Sequence, residues 1–139
     1  MLAAFPLTAL PVAAYNLLAL TVLGGFSAPA AVSRLTAPIF SLRNRAGGDW
    51  PINLSDILLA AALILFFVEL LKAIATRRAA IVNHGLSIAL FILCLVEMLL
   101  ASAFATSTFF LISLMVLLDV LAGFVATIVD ERDAPTERS

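Results

Sequence analysis

The sequence predicts an all-α integral membrane protein: a compact bundle of four transmembrane helices with a short interfacial segment between helices 1 and 2. Two observations lead to this prediction. The 139 residues are 63% hydrophobic and only 12% charged, whereas about 25% of a soluble domain is charged. The apolar residues also form long runs, each close to the roughly 20 residues that a helix needs to cross a bilayer. So short a chain cannot bury this much apolar surface without lipid.

The first predicted span covers residues 3–24, which are apolar and uncharged and end at Gly24-Gly25. A cleaved signal peptide is the alternative, because Ala28-Pro29-Ala30 resembles a small-x-small cleavage site. The lack of Lys or Arg before the apolar run, and the length of that run, favour a retained span.

Residues 26–54 form the long polar connection, with proline, glycine and three arginines among scattered apolar residues. This composition predicts a short helix or turn on the membrane surface, whose arginines reach toward headgroups. Trp50 precedes the next span and suits an interfacial anchor. A solvated loop is the alternative interpretation.

Residues 55–76 and 80–101 are predicted to form a helical hairpin. Ser55 is the expected N-cap, and Asp56 suits the positive end of the helix dipole. A short basic turn joins the two spans and carries the predicted anchors Lys72, Arg77 and Arg78. Basic turns favour the cytoplasmic side.

The fourth predicted span covers residues 107–129, and a polar tail at 130–139 is expected to be disordered. Residues 1–129 then form one membrane domain. Lys and Arg are more frequent on the side of the termini, which favours both termini in the cytoplasm. The two sets are Lys72, Arg77, Arg78, Arg132 and Arg138 on the inside, and Arg34, Arg43 and Arg45 on the outside. Size and hydropathy suggest a bacterial inner membrane.

Small and polar residues recur along one face of three spans. The third span has six such positions: Asn83, Ser87, Leu90, Cys94, Glu97 and Ala101. The second span repeats Ser55, Ala62, Glu69 and Thr76, and the fourth has Thr108, Met115, Asp119, Ala122 and Ala126. Helices in lipid meet along such stripes, so these faces are predicted to point inward.

Four ionisable residues lie inside the spans: Glu69, His84, Glu97 and Asp119. Each is costly at membrane depth unless it is paired or hydrated. Helical rise puts Asp119 deepest, roughly 15 Å from the end of its span. Glu69, His84 and Asp119 fall in the inner half, and Glu97 falls apart from them, nearer Tyr15 and Asn16. They form either a proton or cation path or structural contacts, in which Glu69 pairs with Lys72.

No motif for a metal, a cofactor or a catalytic triad accompanies these residues. The sequence therefore favours a non-enzymatic accessory or assembly subunit that packs against a larger membrane complex. The alternative is a small oligomeric transporter or channel, coupled to protons or cations, that uses the intramembrane carboxylates. The expected partners are the lipid bilayer and either another membrane protein or further copies of the chain, with no nucleic acid.

Overall fold

The structure, a computed structural model, describes residues 5–75 and 80–133 and is mostly helical. Its elements, in chain order, are α1 (Ala9–Thr21), α2 (Ala31–Thr36), β1 (Pro38–Arg43), β2 (Asp49–Asn53), α3 (Leu54–Ala75), α4 (Ala80–Leu100), a 3-10 helix (Ser102–Phe104) and α5 (Ser107–Asp133). Within the described residues, α3, α4 and α5 are long and apolar enough to cross a membrane, and α1 is a shorter apolar helix. This architecture is consistent with the predicted membrane integration.

Helix α1 is shorter than the predicted segment 3–24. Its 13 residues rise about 20 Å, against a bilayer core of about 30 Å. Turns precede it, with the Ala9 N–H donating to the Pro6 carbonyl at 3.1 Å. Gly24 and Gly25 follow its end with φ of 96° and 106°, values that residues with a Cβ rarely adopt. These turns and glycines confine the regular helix to part of the apolar run.

A β-hairpin occupies half of the connection between α1 and α3. The short helix α2 agrees with the expected surface helix, but the hairpin was not expected. In the hairpin loop the Asn44 N–H donates to the Gly48 carbonyl at 2.7 Å, and the Gly47 N–H donates to the Asn44 carbonyl at 3.0 Å. Gly47 has a φ of 88°, as a three-residue hairpin loop with a glycine bulge requires.

Helix α3 starts one residue earlier than predicted, and its N-cap is Asn53 instead of Ser55. The Asp56 N–H donates to Asn53 Oδ1 at 3.0 Å, and the Asn53 N–H donates to Asp56 Oδ2 at 3.1 Å. This reciprocal pair is a capping box. Ser55 therefore turns inward, where its hydroxyl bonds that of Thr108 at 2.7 Å.

Helices α3 and α4 pack along their predicted stripes, and α5 packs against α1, α3 and α4. On α3 and α4 the buried stripe residues are Ser55, Ala62, Glu69, Ser87 and Cys94. On α5, Ala122 and Ala126 are only half-buried, and the fully buried apolar side chains there are Phe109, Ile112 and Val116. Large apolar residues thus fill the inner face of α5 where small ones were expected.

An aromatic cluster fills the end of the bundle nearest the hairpin. Tyr15 and Phe104 each lie 4.8 Å from Phe109, centroid to centroid. The Tyr15 hydroxyl donates to the Ala103 carbonyl at 2.8 Å and lies 2.6 Å from the Thr106 hydroxyl. Because a phenol has one proton, Thr106 is the donor to Tyr15. These bonds fix α1 to the link between α4 and α5.

The C-terminal helix α5 continues through Asp133, so it includes the first four residues of the predicted disordered tail 130–139. The rest of that tail lies outside the described residues. The same holds for Thr76 and for two of the predicted basic anchors, Arg77 and Arg78.

Candidate functional site: a buried polar cluster

Glu69 is fully buried on the inner face of α3 and accepts hydrogen bonds from three directions. Its Oε2 lies 3.0 Å from Lys72 Nζ and accepts the Leu7 N–H at 3.0 Å. Its Oε1 accepts from Asn83 Nδ2 at 2.7 Å. Lys72 also donates to the Phe5 carbonyl at 2.8 Å. The carboxylate is therefore paired with a cation and hydrogen-bonded through both of its oxygens.

Asp119 is buried on α5, 6% exposed, and interacts with two hydroxyl groups. Its Oδ2 accepts from Ser87 Oγ at 2.7 Å and from Thr8 Oγ1 at 3.2 Å. Thr8 occupies the N-cap position of α1, yet its side chain makes no capping bond. Its hydroxyl therefore joins α1 to α5 instead of capping its own helix.

Glu69 and Asp119 each accept hydrogen bonds from a residue just before α1 and from a residue of α4. Leu7 and Thr8 are consecutive, while Asn83 and Ser87 are one helical turn apart on α4. Glu69 and Asp119 thus lie at the same end of the bundle, as the depth estimate predicts. We call these side chains, together with Lys72, the polar cluster. It joins α3, α4, α5 and the N-terminal segment, defined as residues 5–8.

His84 lies beside Gly123 of α5. A Cβ placed at Gly123 would lie 2.6 Å from His84 Nδ1 and 3.2 Å from its Cγ. Within the described residues, His84 Nδ1 and Asn83 Oδ1 are buried without a hydrogen-bond partner. No hydrogen bond there joins His84 to Glu69 or Asp119. The third member of the predicted ladder is thus a packing neighbour of α5.

Glu97 lies on the half of α4 away from the polar cluster. Asn16 of α1 lies beside it, and its Oε2 is buried with no hydrogen-bond partner among the described residues. Cys94, one turn earlier, is buried and has the Ser113 hydroxyl beside it. The sequence had placed Glu97 apart and near Asn16, and the structure puts it there.

The predicted anchors have different environments. Trp50 is 61% exposed on β2, whereas Lys72 belongs to the polar cluster and its side chain is 21% exposed.

Over residues 5–75 and 80–133, no group of three His, Cys, Asp or Glu side chains is placed to hold a metal ion. The side chains of the polar cluster are one ammonium group, two carboxylates, one amide and two hydroxyls.

The N-terminal partners of the cluster were missed at the sequence level. Thr8 is the one polar side chain among residues 2–14, which is a weak signal of an inward role. The Phe5 carbonyl and the Leu7 N–H give no sequence signal, because every residue type carries a carbonyl and nearly every type an N–H.

No protein-family model, curated protein or solved structure matches this chain. The polar cluster and the exposed surfaces are therefore the observations from which a function is inferred.

Proposed function

We propose that this chain is a non-enzymatic membrane protein of four spans, α1 included, that acts as an accessory or assembly subunit of a larger membrane complex. In this proposal it resides in a bacterial inner membrane with both termini in the cytoplasm. The observation that supports it most is the use of the polar cluster: the charged groups bind the chain's own backbone.

Backbone groups explain why the cluster exists. The N-terminal segment precedes the regular part of α1, so its N–H and C=O groups lack helical partners. Glu69 is six residues before the end of α3, about 9 Å along the helix. At that depth a free backbone group costs several kcal/mol, and irregular backbone persists only where protein satisfies it. Glu69 and Lys72 supply those bonds to Leu7 and Phe5.

A carboxylate that binds and releases a transported proton or cation must exchange its hydrogen-bond donors for that ion. Glu69 already accepts a backbone N–H, an ammonium and an amide, and Asp119 accepts two hydroxyls. Replacing these donors with a passing cation would break the contacts that hold α1. This arrangement favours a structural role for both carboxylates.

The outer surface is compatible with the accessory role. Of the three long helices, α4 has the smallest share of its span buried by the rest of the chain. Leu99 and Leu100 at its end are 80% and 82% exposed. Lipid or the helices of a larger complex cover such a face equally well. A chain with so little mass outside its helices has few other surfaces for a partner.

The first experiment is native mass spectrometry of the tagged protein after gentle extraction from its own membrane. The proposal predicts a stoichiometric complex with a larger membrane protein. A homo-oligomer without other subunits would overturn it in favour of transport.

Two variants of Asp119 separate the roles further. Asp119→Asn keeps one oxygen acceptor for Ser87 and Thr8, while Asp119→Leu keeps none. Structural use predicts a graded fall in membrane-inserted protein, with Leu worse than Asn by about 1–3 kcal/mol of stability. Normal protein levels for both, with proton flux into liposomes abolished in both, would instead identify a transport residue.

An oligomeric proton- or cation-coupled transporter remains the second candidate. The observation that favours it is a pair of buried atoms, Asn83 Oδ1 and His84 Nδ1, that have no hydrogen-bond partner among the described residues. They lie at the end of the bundle that holds both clustered carboxylates. Imidazole and carboxylate groups together can relay protons. Four helices of this size enclose little space, so such a pathway needs a second copy of the chain.

A further inference from the structure

The β-hairpin has one apolar face that the other described residues leave largely exposed. The register pairs Phe40 with Ile52 and Leu42 with Trp50. Directly opposed residues project from the same side of a ladder, and so do residues two apart on a strand. These four side chains therefore share one side, called here the hairpin face. Phe40 and Leu42 are each 49% exposed, and Trp50 is 61% exposed.

The hairpin face has polar surroundings. The opposite side of the ladder carries Ser41, Arg43 and Asp49 together with Pro51, and the loop carries Arg45. Neither arginine forms an ion pair within the described residues. The hairpin is thus amphipathic across its two faces and has a net positive charge at its tip.

We propose that the hairpin face docks onto the bilayer at headgroup level, with Arg45 of the loop binding anionic lipid phosphates. The occupant is the lipid surface next to the bundle. Trp near arginine is the composition of membrane-interface segments, and the flexible stem of Arg45 reaches phosphates while its guanidinium group stays hydrated.

The connection to α3 brings the hairpin face within reach of lipid. Asn53 caps α3, so the base of the hairpin is fixed at the membrane end of that helix. Trp50 is four residues before Leu54, up to about 13 Å away along a strand. The headgroup layer is only about 5–8 Å thick on each side. An upright hairpin would put Trp50 in water, whereas a hairpin lying on the surface buries the whole face.

This inference rests on the membrane integration in the proposed function and is independent of the accessory role. Flotation with vesicles and resistance to alkaline extraction test integration separately. A chain that fails those tests contradicts the proposed function. A chain that passes them while Trp50 stays in water contradicts only the docking of the hairpin.

Trp50 is the single tryptophan of the chain, so its fluorescence reports on the hairpin without a label. The full-length protein is reconstituted in phosphatidylcholine vesicles with and without phosphatidylglycerol. Docking predicts a blue-shifted emission, weak quenching by acrylamide, and strong quenching by lipids brominated near the headgroup end of their chains. Free quenching by acrylamide with none by brominated lipid would overturn it.

Variants test the two parts of the surface. Phe40→Ser with Leu42→Ser should return Trp50 to water, whereas Val32→Ser, which removes a comparably exposed apolar side chain from α2, should not. Arg45→Gln should lower the docked-to-undocked ratio about fivefold in anionic vesicles, whereas Arg43→Gln, on the side of the ladder opposite the hairpin face, should lower it less. Equal docking in both lipid mixtures would contradict the role of Arg45.

A second copy of the chain is the rival occupant of the hairpin face. It would make the protection of Trp50 depend on the protein-to-lipid ratio, whereas docking onto lipid is independent of that ratio. Protection that disappears on dilution into excess lipid would overturn the proposal.

Discussion

At the scale of single residues, Glu69 joins parts of the chain that are 62 positions apart. Its two oxygens accept hydrogen bonds from three donors. A Gln side chain has the same shape but offers one oxygen and one NH2 group, so it cannot accept all three hydrogen bonds. At least one of the donors from Leu7, Lys72 and Asn83 then faces another donor.

We expect Glu69→Gln to lower stability by about 1–3 kcal/mol, because it leaves a buried donor unpaired. The measurement is the midpoint of heat-induced loss of monodisperse protein in detergent. Asp49→Asn is the matched control, since Asp49 is exposed on β2 and makes no side-chain hydrogen bond with the described residues. Equal midpoints for Glu69→Gln and wild type would show that the buried ion pair does not stabilise the bundle.

Gly123 gives a second prediction at this scale. A methyl group there would come within 2.6 Å of His84 Nδ1, whereas a methyl group at Gly85 would meet nothing within 4 Å. Gly123→Ala should therefore cost about 1–3 kcal/mol through overpacking. Gly85→Ala should be neutral or stabilise by about 0.5–1 kcal/mol.

Thermal midpoints of the two glycine variants decide this prediction. The double variant with His84→Ala and Gly123→Ala should recover part of the loss relative to Gly123→Ala, because the imidazole that the new methyl group meets is gone. If Gly123→Ala is as stable as Gly85→Ala, α5 does not approach His84 this closely.

At the scale of elements, the conformation of the hairpin depends on its loop. Gly47 has a φ of 88°, and neither Gly47 nor Gly48 has neighbours within 4 Å of a built Cβ. Alanine at either site therefore fits sterically, and only the backbone conformation differs. A non-glycine residue in the left-handed region costs roughly 1–2 kcal/mol.

We expect Gly47→Ala to loosen the hairpin and Gly48→Ala to leave it intact. Trypsin cleaves after Arg43 and Arg45, so the rate of cleavage in this loop is the measurement. Cleavage should be faster in Gly47→Ala, while the helices keep their thermal midpoint. Similar rates for both variants would mean that Gly47 does not require its left-handed conformation.

The hairpin also shows which elements sequence analysis can and cannot recover. Phe40 and Leu42 alternate with polar residues, and Trp50 and Ile52 lie on the other side of a Gly-Gly pair, which is a hairpin pattern. The surrounding prolines and arginines obscured it, because they fit a surface loop equally well. The N-cap was misplaced similarly: Asn53 and Ser55 are both good caps, and the contact of Ser55 with Thr108 is tertiary.

The inner faces of α3 and α4 were predictable because small and polar residues repeat at helical spacing in lipid-facing surroundings. The contacts of the polar cluster were not predictable. Half of its partners are in the N-terminal segment, and two of these are backbone groups. Periodicity describes one helix at a time and contains no information about which residues of another segment lie opposite.

At the scale of the whole molecule, the proposed topology puts the hairpin on the side opposite both termini. Cys94 is the single native cysteine and is buried, so a Cys94→Ala background allows single-cysteine mapping. In intact cells, a cysteine at Ser41 should react with an impermeant maleimide and a cysteine at Ser139 should not. Reaction at Ser139 and not at Ser41 would reverse the proposed orientation.

The bonds between the N-terminal segment and α3 have a consequence for biogenesis. The ribosome makes Phe5 and Leu7 first, but their partners Lys72 and Glu69 emerge more than sixty residues later. Until then α1 is a short apolar helix whose leading backbone groups have no protein partner, and such groups are costly in lipid. The first helix to be synthesised is therefore secured only after α3 has emerged, and nascent chains that stop before Lys72 should lose α1 from the membrane.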